Sequence, residues 1–256
     1  MNKKIALVMG GGAGTGRATV LAFGQAGYNV AIADINEKGG QESLQQLRNA
    51  GGEGFFQFAD MAKAGDSQSM VDHISQQYGA LHAVSNNAAA AAPNLPLVDI
   101  SEAQWDHTHN VTLKGVWLAM KAQLPLIEAS GGGAIVNIAS VSGIRGEAHQ
   151  GAYAAAKGGL INLSKTAAVE YAKRGIRINT VCPGGINTGG MAFYLDKMPT
   201  EMRDKVLNSH AMGRLAEPEE IADAVIYLCS DQSSFITGHD MVVDGGVLVR
   251  SNVMDL

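Results

Sequence analysis

Two cysteines in 256 residues cannot make a disulfide framework. Cys182 and Cys229 each lie in an apolar segment, so both are expected to be reduced core residues of a cytoplasmic protein. Long apolar runs are missing as well. Lys3 and Lys4 precede the run Ile5 to Met9, which stops at once against glycines and is too short for a signal-peptide core or a membrane span. No run of Lys or Arg marks a track for a phosphate backbone, and 19 basic against 24 acidic residues leave a net charge of -5, so nucleic acid is not an expected partner. There is no low-complexity tract, and only 17% of the residues are charged against 46% hydrophobic. The length and apolar content suit one large α/β domain spanning residues 1–256 around an extensive core.

Glycine, by contrast, is abundant. The 32 glycines exceed the usual share, about 7%, and point to places where backbone must approach a ligand or another element closely. The first such place follows Ile5-Ala-Leu-Val-Met9, a continuous apolar strand of the kind that parallel sheets bury on both faces. It runs into Gly10-Gly-Gly-Ala-Gly14-Thr15-Gly16 and then into a helical pattern with Ala18, Leu21, Ala22 and Ala26. A strand, a glycine turn and a helix N-terminus make a phosphate site, because unpaired N–H groups and the helix dipole face an anion. The spacing is neither the common G-x-G-x-x-G fingerprint nor a P-loop, since Gly16 is followed by Arg17-Ala18.

The next strand, Asn29 to Ala33, ends at Asp34, eighteen residues after Gly16. A carboxylate there accepts both hydroxyls of an adenine ribose and repels a 2′-phosphate. No Lys or Arg occupies Ala13, Ile35 or Asn36 to compensate, so NAD is expected over NADP. The competing role for Asp34 is a cap on the helix beginning near Asn36. Further strands, Glu53 to Ala59 ending in Asp60-Met61 and Leu81 to Ser85 ending in Asn86-Asn87, alternate with helical stretches at 38–49 and 67–78. Such βαβ units imply a parallel sheet with right-handed crossovers, in which ligands sit at the carboxyl ends of the strands.

A third feature lies between Ser140 and Lys157. Ser140 ends the apolar run Ala134 to Ala139, and Tyr153-Ala-Ala-Ala-Lys157 lies in an alanine-rich helical segment. Residues four apart share a helix face, so the Lys157 ammonium is expected to favour the ionised form of a phenol whose free pKa is about 10. A phenol tuned in this way serves as a general acid or base, and Ser140 can hydrogen-bond the same substrate oxygen.

Taken together these motifs closely resemble the short-chain dehydrogenase/reductase family over nearly the whole chain. The family's T-G-x3-G-x-G turn appears as Met9-Gly10-Gly-Gly-Ala-Gly14-Thr15-Gly16, and its N-N-A-G as Asn86-Asn87-Ala88-Ala89. Met9 and Ala89 replace a Thr and a Gly, removing a hydroxyl and adding a methyl near the cofactor. Ser140, Tyr153-x3-Lys157 and Pro183-Gly184-Gly-Ile186-Asn-Thr188 match in order. The resemblance implies a single-domain, Rossmann-like doubly wound parallel sheet with helices on both faces, and hydride exchange between nicotinamide and a secondary alcohol or ketone. It nominates Asn110, Ser140, Tyr153 and Lys157 as catalytic. Tyr153 would take the hydroxyl proton, Ser140 would hold the oxygen, and Lys157 would bind the nicotinamide ribose and lower the Tyr153 pKa together with the positive ring of NAD. Asn110 would hold a water linking Lys157 to solvent. Asn110 also sits inside a long helical pattern with Trp105, Leu113, Trp117, Met120 and Leu124, where its propensity is poor. The cofactor contacts expected are Gly10, Gly14, Thr15, Gly16, Asp34, Ile35, Asp60, Met61, Asn87, Tyr153, Lys157, Pro183, Gly184, Ile186 and Thr188; no metal is expected.

On the substrate side, Gly189-Gly190-Met191 through Met212, with Phe193, Tyr194, Leu195, Met198 and Met202, reads as a mobile lid over about 189–212 with an adaptable apolar face. The run Ala88 to Ala92 adds small walls, and Glu147, His149 and Gln150 either face the substrate or are loop surface. The expected substrate is an apolar or cyclic secondary alcohol or ketone, although these side chains serve equally to pack the core or a subunit contact. The small residues Ala154 to Ala156, Gly158 and Gly159 permit close helix packing, and family members are commonly homotetramers or dimers, so a homo-oligomer is expected. Two other readings are a reductase of acyl-carrier-linked ketones, which usually uses NADPH, and a nucleotide-binding regulator without catalysis.

Overall fold

The computed structural model describes residues 3–90 and 93–250. Seven strands form one sheet, every neighbouring pair parallel: β1 (Ile5–Met9), β2 (Asn29–Asp34), β3 (Glu53–Phe58), β4 (Ala83–Asn86), β5 (Gly133–Ile138), β6 (Ile176–Pro183) and β7 (Asp240–Val243). Their order across the sheet is β3-β2-β1-β4-β5-β6-β7. The chain winds outward in one direction from β1 and then returns to β4 on its other side, so the sheet reverses between β1 and β4. In doubly wound sheets a crevice opens beyond the carboxyl ends of the strands at that reversal.

Side chains on a strand alternate between faces, and β1 seeds two cores in this way. Ile5, Leu7 and Met9 pack with α3 (Ala64–Tyr78), α5 (Gly115–Ala129) and α6 (Gly151–Tyr171) through Met70, Ile74, Met120, Ile127 and Leu160. Ala6 and Val8 face α1 (Gly14–Gln25), α2 (Glu37–Asn49) and α9 (Pro218–Cys229) through Val20, Phe23, Leu47, Ile221 and Val225. All five residues of β1 are buried, as a central parallel strand requires. Cys182 and Cys229 are both free and buried. Among the described residues no helix is long and apolar enough to cross a membrane.

One expected helix is not continuous. After α4 (Glu102–His109), residues Asn110–Lys114 form a π-helical turn before α5 begins. The N–H of Gly115 reaches back to the carbonyl of Asn110, and one residue is thereby inserted into the helical register. The inserted residue rotates α4 relative to α5. Met120 and Leu124 are buried, but Trp105 and Trp117 are left 38% and 45% exposed, not on the core-facing stripe that a single α-helix predicts.

The segment expected as a lid contains two helices, α7 (Gly189–Asp196) and α8 (Thr200–Asn208). Leu195 is buried, whereas Phe193, Met202 and Met212 are exposed. Ala91 and Ala92 of the expected alanine wall lie outside the described residues, as does the side chain of Tyr194.

Candidate active site

At the carboxyl end of β1 the chain turns sharply enough that side chains have no room. A Cβ on Gly16 would sit 1.9 Å from the carbonyl oxygen of Gly10, and one on Gly10, whose φ is +78°, would sit 2.7 Å from the nitrogen of Ala88. Helix α1 begins at Gly14 after Ala13, whose side chain supplies no cap, so its first N–H groups are not covered by a neighbouring side chain. The turn carries no lysine, so the groups it offers an anion are backbone N–H groups and the helix dipole.

Asp34 ends β2 beside this turn. Its Oδ2 accepts the N–H of Gly12 at 2.8 Å and its Oδ1 the N–H of Asn36 at 2.8 Å. The cap of α2 is a different residue, Asn36, whose side chain accepts from Gly39. Two backbone donors therefore orient the Asp34 carboxylate, and it remains on the wall of a cavity of about 300 Å³ lined also by Ile35, Asp60, Met61 and Val111. Asp60 is held by the N–H of Ala62, which its Oδ1 accepts at 3.0 Å. Arg17, just past the turn, is tied to the Gly12 carbonyl, Ser43 and Glu42.

A second cavity, of about 460 Å³, shares Gly10, Ala13, Asn87 and Ala89 with the first. The two form one cleft. The second is walled by Gly14, Thr15, Gly16, Ser140, Tyr153, Lys157, Pro183, Gly184, Ile186 and Thr188. Each enters from a strand end or the helix beyond it: Ser140 just after β5, Pro183 at the end of β6, Tyr153 and Lys157 one turn apart near the start of α6. A 310 turn at Val141–Gly143 lies so close to α6 that a Cβ on Gly143 would sit 2.8 Å from the carbonyl carbon of Lys157. That contact draws Ser140 towards Tyr153. Asn110 lines neither cavity; it opens the π-helical turn.

The electrostatics differ from what the helical spacing suggests. Burial pushes the Tyr153 phenol above its ordinary value; the Ser140 hydroxyl pulls it the other way by hydrogen bonding, and the Glu147 carboxylate pushes it further up. Lys157 is not the counterweight expected. Its side chain is buried, its Nζ lies 5.6 Å from the centre of the Tyr153 ring, and it donates at 2.5 Å to the carbonyl of Ile138. Burial brings the Lys157 ammonium down to about 8, so both members of the pair are held away from charge by desolvation.

The cleft fits a dinucleotide. The glycines let the turn close where a Cβ on Gly10 or Gly16 would strike the chain's own backbone, leaving N–H groups for a pyrophosphate, and the Asp34 carboxylate matches a ribose diol. Asn87 adds a direct sign: its amide nitrogen donates to Ser85, but its Oδ1 is buried with no partner, an acceptor that a ligand hydroxyl or amide would satisfy.

Two features of the segment after β5 carry little or no mark in the sequence. Ser142 accepts from Ser140 and donates at 2.5 Å to Glu147; a serine in a loop looks like any other. His149, next to Gln150 before α6, is the one non-glycine residue with positive φ (+67°) among the described residues, a conformation that its residue type does not announce.

A family profile described as enoyl-(acyl carrier protein) reductase matches residues 10–248. A cyclohexanol dehydrogenase of Acinetobacter sp. (strain SE19) is 38% identical over 244 residues, 95% of this chain and 94% of the relative. A cis-4-hydroxycyclohexanecarboxylate dehydrogenase of Sinomonas cyclohexanicum is 36% identical over 244 residues, 95% of this chain and 96% of the relative. Among solved structures, a levodione reductase superposes with a TM-score of 0.92 at 30% identity, covering 96% of this chain and 98% of its own.

Proposed function

The chain belongs to the short-chain dehydrogenase/reductase family, and from that premise we propose that it interconverts a cyclic or apolar secondary alcohol and its ketone with NAD(H) as hydride partner. The observation that carries the proposal is one cleft with Ser140, Tyr153 and Lys157 at one end and Asp34 at the other, joined by the glycine turn. When bound, the nicotinamide supplies the hydride acceptor or donor and, oxidised, a positive charge. The chain supplies the rest. Gly14, Thr15 and Gly16 hold the pyrophosphate, and Gly10, Asn87, Pro183, Gly184, Ile186 and Thr188 line its path. Ile35, Asp60 and Met61 enclose the adenosine end.

Tyr153 takes the hydroxyl proton in oxidation and returns it in reduction, while Ser140 holds the substrate oxygen. Lys157 holds the nicotinamide ribose hydroxyls, and Asn110 orders a water behind it. The Ser140 hydroxyl, by hydrogen bonding, offsets part of the burial that raises the phenol. NAD is favoured over NADP because Asp34 faces the 2′-position, positions 13, 35 and 36 carry no cation, and Arg17 is already paired with Glu42. The same features weigh against a reductase of acyl-carrier-linked ketones that uses NADPH. A cyclic or apolar substrate is supported by the names of the two curated relatives and by the exposed apolar Phe193 and Met202 of α7 and α8.

The proposal takes residues 1–256 as one catalytic domain. Exposed Trp117, Val169 and Phe235 support a homo-oligomer, a tetramer or dimer, and two buried free cysteines support a reducing, cytoplasmic setting. NADH absorbance recorded over a panel of cyclic and open-chain alcohols and ketones, with NAD(H) and NADP(H) in parallel, tests the function. Turnover of secondary alcohols with a preference for NAD is expected; no turnover of any panel member with either cofactor contradicts it.

A further inference from the structure

His210 is a buried titratable side chain that the chemistry above does not use. It is 4% exposed and sits just beyond α8, near the end of the segment read as a lid. Its Nε2 accepts the backbone N–H of Gly185 at 2.9 Å, and its Nδ1 lies 3.2 Å from the Val206 carbonyl oxygen. An amide N–H can only donate and a carbonyl can only accept, so these two partners fix a neutral ring with its proton on Nδ1. Ser209 Oγ, also 3.2 Å from Nδ1, donates to the same carbonyl at 2.7 Å. Gly185 stands between Gly184 and Ile186, which both wall the catalytic end of the cleft. The ring occupies the space a side chain would take there: a Cβ on Gly185 would sit 3.1 Å from Nε2 and 2.7 Å from Leu215 Cδ2. The loop has one further backbone anchor, Ala216, whose N–H donates to the Gly185 carbonyl at 2.9 Å and whose carbonyl accepts from Asn187 at 2.7 Å.

We propose that neutral His210 is a positioning residue that holds the loop from Gly184 to Thr188 in the shape that receives the nicotinamide end of the dinucleotide, and that protonating it lets the loop go. The proposal rests on the NAD reading above. A proton on Nε2 would set one N–H against another, and the Gly185 donor would lose its acceptor. Imidazole is the side chain whose charge changes between about pH 5 and pH 8, so the bond is kept at the alkaline end of that span and lost towards the acid end. The hydrogen-bond partners of the ring among the described residues are Gly185, Val206 and Ser209, and none is a carboxylate that would welcome the added charge. Of the charged groups around it, Arg250 donates to the His210 carbonyl at 3.3 Å. Asp244, beside the Gly245 on which the ring packs, accepts from the N–H groups of Gly246 and Leu248. Lys205 on α8 is paired with Glu201, and Arg214 beyond the ring with Glu220. Because the ring bridges α8 and the loop, its release uncouples the lid segment from the cofactor wall in the same step.

Calorimetric titration of the full chain with NAD, repeated from about pH 8 to about pH 5, tests the proposal in the wild type, His210→Gln and His210→Leu. Glutamine offers an amide oxygen to the Gly185 N–H and takes up no proton in this range, whereas leucine offers no acceptor. The ratio of the wild-type dissociation constant to that of His210→Gln is expected to rise about tenfold towards the acid end, as the binding-competent fraction of the wild type falls. Lys157, which burial brings down to about 8, titrates in both proteins and cancels from the ratio. At the alkaline end His210→Leu should bind NAD about tenfold more weakly than His210→Gln, a rescue that filling the space alone would not give. A ratio that stays constant with pH overturns the proposal and leaves the NAD reading intact, whereas a wild type that binds no NAD at any pH overturns both. Should His210→Gln fail to fold, the NMR signals of the wild-type His210 ring decide. A single proton on Nδ1 at the alkaline end, with NAD binding weakened once the ring takes up a second, is expected; a proton on Nε2 there, or NAD binding indifferent to the second proton, overturns the assignment.

Discussion

The nucleotide end of the cleft is made mainly of backbone, and the catalytic end mainly of side chains. At the nucleotide end the glycines let the turn close where a Cβ would strike the chain's own atoms, and the Asp34 carboxylate is aimed by the N–H groups of Gly12 and Asn36. At the catalytic end the same precision comes from buried polar side chains. Asn86 donates to Asn137 at 2.8 Å, Gln123 donates to Asn86 at 2.9 Å, and Asn137 donates to Ser164 at 2.9 Å. This network ties β4, β5, α5 and α6, the elements that carry or adjoin Asn87, Asn110, Ser140, Tyr153 and Lys157. A site made of backbone is broken by adding an atom, whereas one made of side chains is broken by removing an atom.

Tyr153→Phe removes one oxygen from the catalytic end and should give the largest effect, a loss of turnover of about a thousandfold or more. Titration of NAD should show its affinity nearly unchanged; a matching loss of affinity would mean that the two ends are not separable. Gly16→Ala adds one methyl to the nucleotide end, 1.9 Å from the Gly10 oxygen. It should weaken NAD by about a hundredfold, close to 3 kcal/mol, while circular dichroism and the urea midpoint report whether the sheet is intact.

Lys157→Met separates function from stability. Because burial holds the Lys157 ammonium at about 8 instead of 10.5, its charge costs the folded state below that range. Stability from this group is present above pH 10.5, falls as the pH drops towards 8, and stays lost below it. At pH 7 the methionine variant without nucleotide should therefore unfold at higher urea, by about 2 kcal/mol, and the gap should narrow between pH 8 and 10.5. The same variant should be inactive. A variant less stable than the wild type at pH 7 would show that the bond to Ile138 outweighs the cost of burying the charge. The smallest effect belongs to Asp34→Ala, which should raise the NADP to NAD ratio of kcat/KM about tenfold; an unchanged ratio would remove Asp34 from its role.

The same contrast explains what could be read from the amino acids. A backbone site announces itself, because five of the seven residues between Met9 and Arg17 are glycine and because a carboxylate at a strand end is conspicuous. The parallel sheet was equally legible, since Ile5 to Met9 and Ala134 to Ile138 are apolar at every position but one, Asn137. That exception is a member of the buried network, and its neighbours Asn86 and Gln123 lie in other elements. Nothing local says that the three meet. The π-helical turn was hidden for a related reason: Asn-Val-Thr-Leu-Lys has no composition that separates it from an α-helix, and its effect appears only as two exposed tryptophans. The direction of the Tyr153 shift was misread because four-residue spacing reports proximity but not burial, and here burial is the larger influence.

A crystal structure of the protein grown with NAD tests the central claim most directly. The account expects the pyrophosphate over Gly14 to Gly16, the adenosine ribose on Asp34, and the nicotinamide between Pro183 and the Ser140–Tyr153–Lys157 cluster with the Tyr153 oxygen facing the cleft. Density for the dinucleotide elsewhere, or a Tyr153 hydroxyl turned away from the ring, would contradict it.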